Sequence, residues 1–216
     1  MSKIFTPTSS PLDWKVLLAD PEKHWRPGFS AMSAALSWQD AKGLPAEIAT
    51  IFGPNTELLL AIPEHKVAMP GRGRASQCDI FALVRAGVDT IAVAVEAKVD
   101  EPFGPTVREW LAAESVGKPI RLTAICAMLG CAPPPSDLRY QLFHRTAAAV
   151  IEAARFKTDR AAMVVQSFSQ SLKWFDEFAA FARHLGVEVA PGQRADLTLP
   201  NGTVLTLAWV TSPVTA

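Results

Sequence analysis

The stretch CDIFALVRAGVDTIAVAVEAKV, residues 78–99, contains two apolar segments separated by a short polar turn. CDIFALVR (78–85) and TIAVAVEAKV (90–99) have the β-branched and small apolar residues typical of buried strands, and AGVD (86–89) between them is a turn signal. Strands joined by so few residues pair antiparallel. The stretch therefore predicts two neighbouring antiparallel strands.

The segments on either side extend this pattern. TELLLAIPEHKV (56–67) predicts a preceding strand that Pro63 closes, so the three strands form a meander. LPAEIATIF (44–52) predicts a helix before them, and LRYQLFHRTAAAVIEAARF (138–156) predicts a long helix with Ser136 or Asp137 as its N-cap. The remaining predicted elements are a short helix between Ser30 and Leu44, helices at 106–115 and 119–130, a strand at 160–168, a helix at 171–186 and a strand at 202–210.

This order predicts a mixed α/β (α+β) protein with helices on both faces of a mixed sheet. We predict one domain over residues 1–216. Within it, residues 1–30 form an irregular N-terminal arm that packs through Trp14 and Trp25, residues 40–168 form the core, and residues 169–216 add a helix and a strand.

The composition excludes several classes of protein. The 21 basic and 21 acidic side chains cancel, which argues against a protein that grips nucleic acid along its whole surface. The three cysteines include no Cys-x-x-Cys pair, so neither a disulfide framework nor a zinc cage is indicated. Because the sequence shows no secretory signal and no apolar run long enough for a membrane helix, we expect a cytoplasmic protein without a membrane partner.

Three charged residues of the 78–99 stretch are expected at one edge of the sheet. Side chains alternate between faces along a strand, so Glu96 and Lys98 project on the same side of the third strand. Asp79 begins the neighbouring strand, and an antiparallel turn brings the start of one strand beside the end of the next. Charged groups at the end of an apolar strand are costly to bury unless they are paired, which indicates a polar site there.

This Asp followed by Glu-x-Lys resembles the signature of the PD-(D/E)xK phosphodiesterases, the restriction-endonuclease-like superfamily. The resemblance covers about two thirds of the chain, and VDEPFGPTVREWL and LRYQLFHRTAAAVIEA also look like an uncharacterised bacterial family within that superfamily. It implies a core of helix, three-strand meander, helix and strand. It further implies that Asp79 and Glu96 hold Mg²⁺ (or Mn²⁺), that the Ala97 carbonyl adds a ligand, and that Lys98 orients or activates the attacking water.

The resemblance also indicates residues outside the central motif. Many members add a glutamate from the first core helix, where Glu47 lies, although an acid there also fits a solvated helix face. Several place a glutamine on the helix after Glu-x-Lys, which suggests Gln141 as a substrate-binding residue, but another helical segment intervenes here. Arg72 and Arg74 occupy a loop without acids and either contact a phosphodiester or belong to an ordinary surface loop.

The chemistry explains why these residue types belong together. Mg²⁺ prefers hard oxygen ligands and keeps several waters, and a lysine can position or deprotonate a bound water. The sequence lacks the Gly-x-Ser-x-Gly, His-Glu-x-x-His and Walker patterns of other hydrolases. We therefore expect a Mg²⁺-dependent nuclease acting on DNA or RNA, with a homodimer left open. The alternative is a binding or regulatory module that has lost catalysis on the same fold.

Overall fold

A mixed six-stranded sheet runs through the part of the chain that the computed structural model describes, residues 8–18, 20–71, 73–113 and 115–213. The strands are β1 (Thr56–Val67), β2 (Ser76–Ala86), β3 (Asp89–Lys98), β4 (Arg160–Ser167), β5 (Arg194–Thr198) and β6 (Val204–Thr211). Their spatial order is β1-β2-β3-β4-β6-β5. The first three pair antiparallel, β3, β4 and β6 are parallel, and β5 returns antiparallel at the far edge. The predicted meander and mixed α/β class are confirmed.

The helices are α1 (Pro21–His24), α2 (Ser30–Asp40), α3 (Ala46–Phe52), α4 (Val107–Ala112), α5 (Gly117–Leu129), α6 (Tyr140–Phe156) and α7 (Phe175–His184). A 3₁₀ helix at Pro11–Leu17 precedes them. Among the helices in the described residues, none is both long and apolar enough to cross a membrane.

The sheet separates two apolar cores. On β3, Ala92 and Ala94 belong to the core that contains α5, α6 and α7, whereas Val93 and Val95 belong to the core that contains α2, α3 and the 3₁₀ helix. The two-residue alternation along the strand thus supplies both faces with buried side chains. The predicted helices on both faces are confirmed. The layer with α6 and the layer with α2 meet at the carboxyl end of β3, where the candidate site lies.

Pro63 does not end the first strand, contrary to the prediction. The strand continues to Val67, and Pro63 pairs with Ile80. Because β1 is an edge strand, one side of its backbone has no partner strand, and a proline without an N–H group is tolerated there.

Helix α6 begins later than its predicted cap. Its N-cap is Arg139 rather than Ser136 or Asp137. The predicted capping residues lie in a segment that pairs instead with the start of α4, where the Arg108 N–H donates to the Ser136 carbonyl at 2.9 Å and the Val107 N–H to the Leu138 carbonyl at 2.8 Å. This long-range pairing overrides the local capping signal.

The N-terminal arm is more regular than predicted. Within residues 8–30 it forms the 3₁₀ helix and α1, and Trp14 is buried in the core on the α2 face, with Trp25 packed against that core. Strand β5 was not predicted, because its side chains are half-buried or exposed and lack the apolar character of a core strand.

Candidate functional site

A cavity of about 440 Å³ lies at the carboxyl end of β3, between α6 and the N-terminal arm. Of the sequence-predicted residues, the fold brings Asp79, Glu96, Lys98 and Gln141 to this cavity. Charged or titratable residues that had not been predicted also line it: Lys23 and His24 of α1, Glu64 of β1, Glu101 after β3 and Arg145 of α6. Strands and helices distant in sequence thus converge on one polar pocket.

Glu96 is the centre of a buried network of ion pairs. Its side chain is almost fully buried, as are those of Lys98 and Arg145. Lys98 Nζ donates to Oε1 at 2.5 Å, and Arg145 Nε donates to Oε2 at 2.5 Å. Gln141 Nε2 also donates to Oε1, at 2.7 Å, and Arg145 is held in turn by Ser76 Oγ at 3.0 Å. A buried carboxylate needs such partners, because burying an unpaired charge is very costly.

Asp79 lies where β2 and β3 separate. The pairing of these strands ends at Ile80 and Val95, and the Asp79 side chain continues it, since Oδ2 accepts the Ala97 N–H at 2.7 Å. The Asp79 carboxylate therefore lies against β3, the strand that carries Glu96 and Lys98. This bond also holds the backbone of Ala97, the residue whose carbonyl was predicted as a metal ligand.

The ion pairs control the protonation of the Glu96 network. Burial disfavours a charged Glu96, but the Arg145 and Lys98 charges outweigh burial and lower its pKa to about 2. Burial likewise disfavours the Lys98 ammonium, yet Glu96 and Asp79 raise its pKa above the ordinary value. Lys98 is consequently a cation at neutral pH.

The other two carboxyl groups titrate in the opposite direction. Burial and the neighbouring Glu96 charge raise the pKa of Asp79 to about 7, although Lys98 and Arg145 oppose the shift. Burial and Asp79 raise the pKa of Glu64 to about 8. Among the described residues, four carboxyl groups and three Lys or Arg side chains line the cavity, so its charge becomes negative only when both Asp79 and Glu64 are ionised.

This donor set suits a magnesium ion bound by few protein ligands. In the described part of the chain, no group of three or more His, Cys, Asp or Glu side chains could hold a metal ion. Mg²⁺ nevertheless binds through one or two carboxylates and completes its shell with water and substrate phosphate. Glu96 Oε2 and the Asp79 carboxylate can still accept an ion, because each of these oxygens accepts at most one bond, whereas Glu96 Oε1 already accepts from Lys98 and Gln141. A bound cation would favour the ionised forms of Asp79 and Glu64.

Glu47 does not reach this cavity. It lies on α3, on the opposite face of the sheet, where its Oε1 accepts bonds from Ser212 Oγ and from Gln166 Nε2. Helix α3 packs against β1 and β6, and Glu47 is therefore separated from Glu96 by the sheet. The side chain that was expected to be a fourth ligand belongs to a different polar network.

Arg72 and Arg74 are the two arginines that were predicted in the loop without acids. Arg72 lies outside the described residues. Arg74 is exposed and lines a smaller cavity of about 180 Å³ with Trp110, Tyr140 and His144, and its carbonyl accepts from Arg121 at 2.8 Å. It is not among the residues that line the larger cavity.

The sequence contained a signal for Arg145, one of the lining residues that were not predicted. Gln141 and Arg145 are four positions apart on α6 and share one helix face, so the placement of the first implies the second. Glu64 carried no such signal. The Glu64 backbone has a φ of 53°, which is unusual within a strand. The regular alternation of side chains along a strand therefore does not predict which way Glu64 points.

The comparisons with known proteins identify a family without a known function. No curated protein and no solved structure matches the chain. Residues 7–214 match the family described as a domain of unknown function, DUF6946. Since the match covers nearly the whole chain, the protein belongs to the DUF6946 family.

Proposed function

We propose that this protein is a Mg²⁺- or Mn²⁺-dependent phosphodiesterase that acts on nucleic acid, with a restriction-endonuclease-like core. The observation that carries the proposal is the convergence of Asp79, Glu96 and Lys98 at the end of β3 in one cavity. The resemblance of this motif to the PD-(D/E)xK phosphodiesterases supports the same chemistry, as does the order of the meander strands.

Each residue has a role that follows from its position. Asp79, Glu96 and the Ala97 carbonyl would hold the ion, which lowers the pKa of a bound water and neutralises charge on the phosphoryl oxygens. Lys98 lies 2.5 Å from Glu96 Oε1, and its ammonium can orient the attacking water and stabilise developing negative charge. Arg145 and Gln141 position Glu96 through their bonds to its two oxygens.

The alternative is a binding or regulatory module that does not cleave. One observation favours it: Lys98 and Arg145 already pair both oxygens of Glu96, so this carboxylate is neutralised without a metal. The balanced net charge of the chain also fits a protein that does not bind nucleic acid tightly.

Metal titration beside nuclease assays decides between these functions. The wild type is titrated with Mn²⁺ by calorimetry and incubated with Mg²⁺ or Mn²⁺ and plasmid, single-stranded DNA and RNA. Asp79→Ala should lose metal affinity and cleavage together. Lys98→Ala should keep metal affinity and lose about 10²–10⁴-fold in rate, the usual contribution of a group that moves or orients a proton.

Two variants serve as controls outside the cavity. Glu47→Gln changes a carboxylate on the opposite face, and Lys66→Ala removes an exposed lysine from β1. Both should cleave like the wild type. If the wild type binds no divalent ion at millimolar concentration, the catalytic proposal is wrong and the binding module takes its place. If Lys98→Ala cleaves normally, the activity belongs to another site.

A further inference from the structure

The N-terminal arm forms one wall of the cavity. Six residues of the arm and of the first turn of α2 line the cavity that holds the carboxylates of β2 and β3, while α6 supplies the wall on the other face of the sheet. The arm residues that line the cavity are Leu18, Lys23, His24, Phe29, Ser30 and Ala31.

This wall is anchored on both sides. Before it, Trp14 is buried in the core on the α2 face. After it, Glu101 accepts the Ser30 N–H at 3.0 Å through Oε1 and the Val99 N–H at 3.1 Å through Oε2. Glu101 therefore ties the start of α2 to the chain that leaves β3. The wall is part of the fold rather than a loose extension.

The dimensions of the cavity limit what can reach Asp79 and Glu96. A volume of about 440 Å³ falls within the range of about 300–1,000 Å³ of pockets that bind small ligands. A phosphodiester inside a duplex comes with its paired strand and with grooves of about 6 and 12 Å width. Protein walls flank the carboxylates from both layers, and a cavity of this volume matches a single nucleotide better than a duplex. An unpaired nucleotide can enter the cavity without its partner strand.

The chemistry of the wall suits such a nucleotide. Lys23 is exposed, and no carboxylate of the described residues forms an ion pair with it or with His24. Both line the cavity that holds the acidic residues, where a cation can bind a phosphate oxygen. Phe29 is 39% exposed at the same cavity, and an exposed ring there can stack on a base.

We propose that the cavity takes one unpaired nucleotide of a single strand or a strand end, with Phe29 against the base and Lys23 and His24 beside a phosphate. This inference rests on the proposed function, because it names the substrate class of the same site. It assigns to the arm a role in specificity that the Asp79, Glu96 and Lys98 motif does not contain.

The experiment measures binding and cleavage on matched nucleic acids. One fluorescent 20-nucleotide sequence is prepared as a single strand, as a blunt duplex and as a duplex with an unpaired 3′ end. Binding is followed by anisotropy with Ca²⁺ in place of Mg²⁺, and cleavage is followed with Mg²⁺ or Mn²⁺. The single strand and the unpaired end should bind at least tenfold more tightly than the blunt duplex.

Point variants of the arm test the named contacts. Phe29→Ala should weaken single-strand binding about 5- to 150-fold, since stacking on an aromatic side chain contributes about 1–3 kcal/mol per base. The double variant Lys23→Ala with His24→Ala should weaken it and reduce its salt dependence. Arg26→Ala is the matched control, because it removes an exposed cation from the same arm outside the cavity and should bind normally. Thermal melts verify that each variant is folded.

The outcomes separate this inference from the proposed function. A wild type that cleaves inside the blunt duplex as fast as it cleaves the single strand overturns the inference and leaves the phosphodiesterase proposal intact. A wild type that cleaves nothing, yet binds the single strand through Phe29, supports the inference on the substrate and overturns catalysis. Normal binding by both arm variants overturns the inference.

Discussion

Two buried polar networks lie back to back at the same end of the sheet. The site network joins Glu96, Lys98, Arg145 and Gln141 on the α6 face. The second network, which we call the Gln166 network, lies on the α2 face and consists of Gln166, Trp38, Ser37, Ser212 and Glu47. They are neighbours through the backbone, since Ala97 of β3 pairs with Gln166 of β4.

The two networks differ in charge and in access. Gln166 accepts the Trp38 Nε1–H at 2.9 Å and donates to Ser212 Oγ at 2.9 Å, so mostly neutral groups satisfy one another, and these three residues are fully buried. The site network instead pairs a carboxylate with two cations beside an open cavity. Burying charges costs more than burying neutral hydrogen-bonded groups. The Gln166 network is thus satisfied within the protein, whereas the site network keeps charged groups beside a cavity.

The largest expected effect on stability comes from the site network. Glu96→Gln leaves Arg145 and Lys98 buried without their main partner. Breaking a buried ion pair typically costs about 3–5 kcal/mol, and we expect roughly 3 kcal/mol because Asp79 can take over part of the pairing. Urea unfolding at pH 7.5 measures this change. A loss below about 1 kcal/mol would mean that the ion pairs contribute little to the fold.

A smaller effect is expected from the Gln166 network. Gln166→Leu keeps a similar shape but leaves the Trp38 N–H and the Ser37 hydroxyl without their partner. A buried polar group left unsatisfied costs about 1–3 kcal/mol, and we expect a loss of about 2 kcal/mol in urea unfolding. Mn²⁺ affinity should stay that of the wild type. A fall in metal affinity would show that the two networks are coupled through β3 and β4.

Asp79 and Glu96 should give the stability of the protein opposite dependences on pH. The folded pKa of Asp79, about 7, lies above its ordinary value of 3.8, so its contribution to stability is complete below about pH 4 and is lost as the pH rises through 7. Glu96 behaves in the opposite way: its contribution is present above pH 4.5 and is lost as the pH falls toward 2. The metal-free protein should therefore become less stable between pH 5.5 and pH 8.5.

Asp79→Asn tests this dependence directly. Between pH 5.5 and the folded pKa of about 7, the free energy of unfolding of the wild type falls by about 1.36 kcal/mol per pH unit. The variant lacks this group, so from pH 5.5 to pH 8.5 the wild type should lose about 1–2 kcal/mol more stability than the variant. Urea unfolding of both proteins at the two pH values, in the presence of a chelator, measures the difference. Identical pH profiles would show that Asp79 does not carry the raised pKa.

The smallest effect is expected from Glu47→Gln. The amide retains an oxygen that can accept the bonds from Ser212 and Gln166, so stability should change by less than about 1 kcal/mol. Calorimetry should give an unchanged Mn²⁺ affinity, because Glu47 lies across the sheet from Asp79 and Glu96. A tenfold loss of Mn²⁺ affinity would show that Glu47 contributes to the metal site.

Local patterns determined the part of the site that lies on adjacent strands. The alternation along β3 is a consequence of backbone geometry and places Glu96 and Lys98 on one face in any sheet. The short turn between β2 and β3 then brings Asp79 beside them. The hairpin, the meander and these three residues could therefore be predicted from residues 56–99 alone.

Contacts between distant segments were decided only by the tertiary structure. Arg145 reaches Glu96 across 49 positions of sequence, and Ser212 binds Glu47 across 165. Whether α3 packs on the same face as the site or on the other depends on how the apolar sides of all the helices fill the two cores, and an amphipathic pattern states only that a helix has a buried side. For that reason the sequence alone could not separate Glu47 from the cavity, nor could it bring Glu64 and the N-terminal arm to it.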